Sequence, residues 1–573
     1  MDKYLEASVE IEQRSLISKN RKATERSKKS SFKKIDCVII GLILIGAVLR
    51  LLQYLANTSL WLDEIFLSSN ILNRSISQLL ANRTLDFGQV APKGFLVVEK
   101  LLSNQFGADE LVLRLFPLLC SLAALIAFAF AVRNLLPGLP AAIALALFAT
   151  ARPLVVFGSE VKQYSSDVAI AALLLWVASE LTKGAVSFRR SVIAGTIGAV
   201  CVWISQPAVL MVGALGLSLL LIAWHQRSAS YSRSLVALTP VLAMWGVSAM
   251  GAVVISLVTM GAHTRAYMHQ YWAEGFMPHP TRRVFELRWP WNELRAFFGN
   301  GSRASFGYPF TRLYLLLLCF GFLALWRRLG VRATLISMPV LVALSAAVAG
   351  QYPFCDRLVL FLVPSFLIAI AASIYGLYEW LTPRSKYVAA ALCVLIVGVG
   401  TYPVAAIPPP YHNEDVKPVL KYMRNNWRPG DILYVFNGAT IAFTFYSLDY
   451  DFRTNEYVLG RCHRGDNIRY RQELDRFRGR PRVWILLAHA IPYLRERDDI
   501  VTYLDAIGLR RHNFVVQSRI NGELPAEVML YDLSDSNRLR AANAQSVPLI
   551  GPSSVDARTD CQDMPLLSVP PRR

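Results

Sequence analysis

The chain is 573 residues long, carries a net charge of +20, and is 54% hydrophobic, with a mean hydropathy of +0.37. So high an apolar content over this length excludes an ordinary soluble protein and predicts a polytopic α-helical membrane protein. The basic residues are dispersed and no DNA- or RNA-binding motif accompanies them, so the net charge indicates no nucleic-acid partner.

A basic tail, residues 1–34, precedes the apolar part of the chain; from Arg14 to Lys34 it has nine basic residues and one acid. Because cytoplasmic segments retain lysine and arginine, we expect this tail in the cytoplasm, followed by a retained start helix rather than a cleaved signal peptide. About eleven apolar stretches, each long enough to cross a bilayer, then predict a transmembrane domain over residues 35–405. They lie at 35–55, 109–132, 137–157, 165–182, 189–205, 207–224, 233–260, 309–327, 332–350, 357–381 and 385–405.

The loops between these stretches alternate in charge. Every second loop carries arginine or lysine, as at Arg133 and Lys183, and is predicted to be cytoplasmic. The odd number of spans also places the residues after 405 outside. The predicted outward loops are 56–108, 158–164, 206, 261–308 and 351–356.

The first outward loop begins with the acidic pair Asp63-Glu64. A carboxylate at the membrane face is energetically costly, which favours a functional role. Apolar residues at every third or fourth position over 60–80 predict a helix in the interface, with its polar side toward a cavity or water. A helix that simply covers the protein is the alternative, but such a helix has no need of adjacent acids at its start.

Three further outward segments, 92–107, 158–167 and 351–357, contain or lead to charged residues near the outer interface. Arginine and lysine at this depth suit a lipid phosphate, whereas snorkelling or pairing with nearby acids is the alternative for each residue singly. The centres of most spans are apolar, so the sequence favours an interfacial enzyme over a transporter, which places polar groups at the midplane. The basic residues concerned are Arg50, Lys93, Arg114, Arg152, Lys162 and Arg357.

Three motifs together resemble those of a known family. They are the interfacial Asp-Glu after the first span, a proline-containing stretch leading to Phe-Gly-x-x-Glu-x-x-x-Arg at 106–114, and Tyr-x-x-Asp at 164–167. The chain resembles the polytopic glycosyltransferases that use lipid-linked sugars, which have the GT-C fold. It looks most similar to the bacterial branch related to protein O-mannosyltransferases and to the aminoarabinose transferase of lipid A. The resemblance covers about residues 35–405.

The resemblance implies roles for individual residues. Asp63 and, with it, Glu64 and Asp167 correspond to the acids of the catalytic cavity. Lys93 corresponds to the basic residue that contacts the donor phosphate, although Pro92-Lys93 stands here where the family has a Pro-Pro pair. The further candidates for the phosphate are Arg357, Lys162 and Arg114, and the further candidates for the cavity are Glu160 and Tyr164.

The implied reaction transfers a sugar from a polyprenyl-phosphate donor to a glycan, lipid or protein acceptor at the outer face of the cytoplasmic membrane, with inversion. We expect Asp63 to accept the proton of the acceptor hydroxyl. Adjacent helical residues point about 100° apart, so Glu64 is expected to orient Asp63, a metal or the acceptor. Membrane lipids are expected partners; the sugar, the acceptor and the need for a divalent metal stay open. The alternatives are a flippase or exporter of polyprenyl-linked sugars and an inactive binding subunit.

After Pro408-Pro409-Pro410 the long apolar runs stop, which predicts a domain boundary. Alternating helical and strand patterns predict a small extracytoplasmic α/β domain over 406–533, and residues 534–573 are expected to be disordered. The basic stretch from Arg461 through Arg482 indicates either a solvated face or a surface for an anionic acceptor. Cys462 and Cys561 can form a disulfide there, but with Cys355 also outward the pairing stays open. The predicted helices are 415–427, 439–448 and 494–507, and the predicted strands are 432–436, 483–487, 513–518 and 527–532.

Overall fold

The computed structural model describes most of the chain between residues 35 and 538. The basic tail 1–34 and residues 539–573, which include Cys561, lie outside the described residues, so the predictions for these segments stay predictions. The described ranges are 35–81, 84–184, 186–225, 231–278, 288–299, 302–491, 494–520 and 524–538.

The membrane part consists of apolar helices with shorter polar ones between them. Leucine, alanine, valine and isoleucine dominate the long helices, as a helix surrounded by lipid or other helices requires. The helices are α1 Ile35–Leu55, α2 Leu62–Asn73, α3 Ile76–Leu80, α4 Lys93–Phe106, α5 Glu110–Leu113, α6 Leu115–Leu135, α7 Leu139–Ala149, α8 Arg152–Val156, α9 Tyr164–Leu181, α10 Phe188–Ile204, α11 Ala208–His225, α12 Tyr231–Thr259, α13 Ala262–Tyr271, α14 Trp289–Phe298, α15 Thr311–Leu329, α16 Thr334–Val348, α17 Val363–Leu381 and α18 Lys386–Ala406.

Among the described residues, eight helical stretches are long and apolar enough to cross a membrane, or nine if the pair Leu139–Ala149 and Arg152–Ser159, bent by 58°, is one span. Counted with the bent pair, which covers the predicted span 137–157, the nine stretches are two fewer than the eleven predicted, for two reasons. The predicted spans 309–327 and 332–350 are joined in one stretch, Thr311–Val348, and α10 is short, with 17 residues. Every predicted span nevertheless contains a helix, so the polytopic helical architecture is confirmed.

The predicted interfacial helix over 60–80 is two helices, α2 and α3. They separate at Arg74, whose backbone is extended. Ser75 then begins α3 with a capping box: its Oγ accepts the Gln78 N–H at 3.3 Å and its own N–H donates to Gln78 Oε1 at 2.9 Å. A new helix start satisfied by its own side chains explains why one apolar pattern gives two helices.

The C-terminal part contains a five-stranded mixed sheet in the order β2-β1-β3-β5-β4. Strands β2, β1 and β3 are parallel, and β5 is antiparallel to both β3 and β4. The sequence did not predict β2 or α21, because β2 is only three residues long and α21 is largely polar. The strands are β1 Ile432–Val435, β2 Tyr457–Leu459, β3 Val483–Leu487, β4 Leu509–Val516 and β5 Ala526–Asp532, and the helices are α19 Val416–Asn425, α20 Thr440–Tyr446, α21 Asn467–Asp475 and α22 Glu496–Ile507.

The sheet packs on the interfacial helices of the membrane part. One hydrophobic cluster includes Ile65 of α2, Phe95 of α4 and Trp484 of β3. Ser59 Oγ donates to Asp415 Oδ1 at 2.5 Å, and Leu60 N–H donates to the Tyr446 hydroxyl at 2.7 Å. The C-terminal part therefore holds the chain immediately before Asp63.

Cysteine pairing is partly resolved. Cys462 is disulfide-bonded. The other described cysteines, Cys355 among them, are free, so Cys355 is not the partner of Cys462.

Candidate active site

A cavity of about 1470 Å³ lies between the membrane helices and the sheet. Its membrane side is formed by the start of α2, the segment from Thr84 to Leu96, the loop before α9 and the helices α10 to α13. Part of this wall is apolar, and its residues include Val202, Trp203, Leu210, Val253 and Met260.

The carboxylate of Asp63 faces this cavity from the first turn of α2. Its Oδ2 lies 2.8 Å from Nη2 of Arg357 and 4.0 Å from Nζ of Lys162. Burial alone would raise the pKa of Asp63, but the positive charges of Lys162, Arg357 and Arg303 outweigh burial and lower that pKa. Asp63 is therefore ionised at neutral pH and able to accept a proton.

The guanidinium of Arg357 is held among aromatic rings at the cavity. Its Cζ lies 5.2 Å from the ring centre of Trp272, 5.7 Å from that of Tyr164 and 6.0 Å from that of Trp61. These contacts orient a planar cation through its faces and leave its edge for hydrogen bonds. Its Nε is buried and has no hydrogen-bond partner among the described residues, so Arg357 retains a donor for an anionic ligand.

Lys162 and Glu160 lie in the same short loop but have different surroundings. Lys162 lines the cavity, donates from Nζ to Gln89 Oε1 at 2.6 Å, and has its pKa lowered by burial, an effect that Asp63 opposes. Glu160 is not among the cavity-lining residues; it pairs with Arg303, and burial raises its pKa. Arg303 in turn has its Cζ 4.6 Å from the ring centre of Trp61. Glu160 thus positions a cation instead of facing a ligand.

Glu64 and Arg114 are bonded to each other inside the protein. Arg114 donates to Glu64 Oε1 from Nε at 3.0 Å and to Oε2 from Nη2 at 2.8 Å. Glu64 also accepts the backbone N–H groups of Trp61 and Val161, at 3.0 and 2.9 Å. The remaining nitrogen of Arg114, Nη1, donates to the Thr58 carbonyl at 2.7 Å. Neither residue lines the cavity, so the structure places Glu64 and Arg114 in a buried ion pair and not among the residues that face a ligand.

Asp167 and Lys93 have surroundings that the sequence did not predict. Asp167 lies in the first turn of α9, is buried and is not among the cavity-lining residues. Lys93 does line the cavity, but its ammonium donates to the carbonyls of Leu79 and Ala81 at 3.0 and 3.2 Å. Lys93 therefore binds the end of α3. The residues that meet at the cavity are Asp63, Lys162, Tyr164 and Arg357, joined by Gln89, Trp61 and Trp272.

The acids near the cavity that the structure describes have cations as neighbours and do not group as metal ligands. In the part of the chain that the structure describes, no three His, Cys, Asp or Glu side chains group as metal ligands. Asp63 has cations as neighbours, Glu64 is bonded to Arg114, and Glu160 to Arg303. A divalent metal that bridges Asp63 and Glu64 does not fit these residues.

Comparison with known proteins finds distant structural similarity over most of the chain. No protein-family model and no curated protein matches the sequence. The structure is similar to the oligosaccharyltransferase of Archaeoglobus fulgidus in complex with zinc and sulfate, with 11% identity, a TM-score of 0.45, and coverage of 87% of this chain and 73% of that one. It is also similar to apo ArnT from Cupriavidus metallidurans, with 11% identity, a TM-score of 0.41, and coverage of 86% and 97%.

A second ArnT structure from the same organism, bound to undecaprenyl phosphate, has 10% identity, a TM-score of 0.41, and coverage of 87% of this chain and 98% of that one. Identities and TM-scores this low do not establish the substrates of this chain, so the proposal below rests on its own side chains.

Proposed function

We propose that the protein is an integral-membrane glycosyltransferase that moves a sugar from a polyprenyl-phosphate donor to an acceptor at the outer face of the cytoplasmic membrane. The observation that carries this proposal is the carboxylate of Asp63 held between Arg357 and Lys162 in a cavity that also has an apolar wall. Sugar transfer from a lipid phosphate requires a base for the acceptor, cations for the phosphate and an apolar surface for the lipid.

In the proposed reaction, Asp63 accepts the proton of the acceptor hydroxyl. The hydroxyl oxygen forms a bond to the anomeric carbon as the bond from that carbon to the phosphate oxygen breaks, with inversion of configuration. The leaving group is the polyprenyl phosphate, which takes the electron pair of the broken bond. Arg357 and Lys162 stabilise the negative charge that develops on it, and their low exposure makes this electrostatic contribution large.

The apolar wall suits the polyprenyl chain. It is formed by parts of α10, α11 and α12, among them Trp203, Leu210 and Val253. Helix α12 is mostly unburied within the protein, with exposed Val247 and Val258 on its surface. Because such a surface faces lipid in a membrane protein, a polyprenyl chain can reach the cavity from the side of the bilayer.

The proposed orientation follows from the arginine and lysine distribution, with the N-terminal tail in the cytoplasm and residues 406–533 outside. The cavity then opens at the outer face. There a polyprenyl-linked sugar serves as the donor, so no nucleotide-linked sugar has to cross the membrane. The membrane and the polyprenyl-phosphate sugar are the proposed partners, and the acceptor is a glycan, a lipid or a protein.

The proposal is tested by mass spectrometry of polyprenyl-linked sugars and envelope glycans in cells that carry the wild type, Asp63→Asn, Asp109→Asn or no protein. Asp109 is an exposed acid of the same interfacial region and is the matched control. We expect loss of one glycan modification and accumulation of its lipid-linked donor with Asp63→Asn and in the null, but not with Asp109→Asn. A donor trapped on the cytoplasmic side in the null alone would instead indicate a flippase.

A further inference from the structure

The three parallel strands of the sheet end at the cavity. Gly438 follows β1, Arg461 follows β2 and His489 follows β3, and all three residues line the cavity. In sheets with parallel strands, ligands bind in the crevice beyond the carboxyl ends of the strands. The C-terminal part therefore contributes a binding surface to the cavity, opposite the membrane wall.

This surface is basic. The titratable residues of the sheet side that line the cavity are Arg461, His463, Arg464, Arg469 and His489, here called the basic wall.

Four acids form ion pairs with members of the basic wall. Glu473 lies 3.3 Å from Nε2 of His463, and Glu496 lies 3.3 Å from Nη1 of Arg464. Glu414 lies 3.0 Å from Nδ1 of His489, and Asp466 lies 3.2 Å from Nε of Arg469. None of these four acids lines the cavity, so the side of the basic wall that faces a ligand is positive.

Two arginines of the basic wall have unused donors. The Arg464 side chain is only 5% exposed and is fixed by Glu496, yet its Nε is buried without a hydrogen-bond partner among the described residues. Arg461 is exposed at the cavity, and its guanidinium forms no ion pair or hydrogen bond with the residues that the structure describes, so it is open to a ligand. The buried Nε of Arg464 is destabilising unless a ligand satisfies it, which points to an anion beside this arginine.

We propose that the basic wall binds an oxyanion, a phosphate or a carboxylate, that belongs to the acceptor. This inference rests on the proposed function and narrows its acceptor to an acidic molecule. The donor phosphate already has Arg357 and Lys162 on the membrane wall, so a second set of anion donors on the sheet side of the same cavity belongs to the second substrate. Arg461 and Arg464 are the residues that hold it.

The test uses the purified full chain in detergent, saturated with polyprenyl monophosphate so that the donor site is filled. Binding of glycerol phosphate and of glucuronate, a soluble phosphate and a soluble carboxylate, is measured by titration calorimetry for the wild type, Arg461→Gln and Arg476→Gln. Arg476 is the matched control, because it is an exposed arginine of the same part of the chain that does not line the cavity.

We expect at least one probe to bind the wild type, and Arg461→Gln to weaken that binding about tenfold or more, as loss of a charged hydrogen bond does, while Arg476→Gln leaves it unchanged. The inference is wrong if neither probe binds the wild type, or if the two variants behave alike. Polyprenyl diphosphate in place of the monophosphate provides the second arm. If the diphosphate blocks the probe, the basic wall holds a second donor phosphate, and its assignment to the acceptor is wrong.

Failure of this inference is separable from failure of the proposed function. Probe binding is measured without turnover, whereas transfer is read from the Asp63→Asn variant. If the protein transfers sugar but Arg461→Gln does not change probe binding, the proposed function holds and the acceptor binds elsewhere. The inference alone is then refuted.

Discussion

Replacement of Glu64 by glutamine tests whether this acid is structural. The carboxylate accepts four N–H groups, two from Arg114 and one each from Trp61 and Val161. A glutamine has one oxygen for these donors, and its NH2 group would face the others. The change also leaves the charge of Arg114 buried without its counter-ion. Breaking a buried ion pair from one side destabilises a protein by about 3–5 kcal/mol.

We therefore expect Glu64→Gln to lower the unfolding temperature in detergent strongly. Glu180→Gln is the control, because Glu180 pairs with Lys183 at 3.0 Å but both side chains are about 40% exposed, and such a pair contributes about 1 kcal/mol or less. The double variant Glu64→Leu with Arg114→Met removes both charges and should recover part of the lost stability. A Glu64→Gln protein with wild-type stability and no transfer activity would refute the structural role and indicate that Glu64 takes part in catalysis.

Three further outcomes are expected. Lys162→Met removes a cation that lowers the Asp63 pKa, so that pKa should rise. Because the base is active only when ionised, the acid limb of the kcat/KM profile should move to higher pH, and an unmoved limb would show that Asp63 is not the titrating base. Lys93→Met should reduce the free energy of unfolding by about 1 kcal/mol and leave the donor KM unchanged. Arg357→Gln, in contrast, should lower kcat/KM about tenfold or more. Equal losses of kcat/KM in the two variants would show that Lys93 binds the donor phosphate. Dialysis against EDTA should leave turnover unchanged, and restoration of lost activity by a divalent metal would contradict the arrangement of the acids.

Much of the architecture follows from local sequence patterns. Hydropathy located a helix in each predicted span. The acidic pair at the membrane face predicted a functional Asp63, and the structure places this residue in the cavity. A linear pattern predicts that these two acids point in different directions, but it does not identify the one that faces the cavity. Asp63 and Glu64 are neighbours on a helix, so their side chains point to different sides, one to the cavity and the other to Arg114 in the core.

Long-range contacts were also beyond the sequence. Gln89 reaches Lys162, and Arg303 reaches Glu160, from segments that no spacing links. The basic stretch after Arg461 had two interpretations, and only the meeting of the parallel strand ends with the membrane cavity shows which of its arginines line that cavity. These are properties of the packing of distant segments, which composition and periodicity do not report.

The most direct test of the account compares donor binding with turnover in one purified protein. Affinity for a polyprenyl-phosphate sugar and the rate of sugar transfer are measured for the wild type, Asp63→Asn and Asp109→Asn in detergent. A general base contributes about a hundredfold or more to a rate, so we expect Asp63→Asn to keep its donor affinity and lose at least that factor in rate, while Asp109→Asn resembles the wild type. A folded Asp63→Asn protein that transfers sugar at the wild-type rate would contradict the central claim.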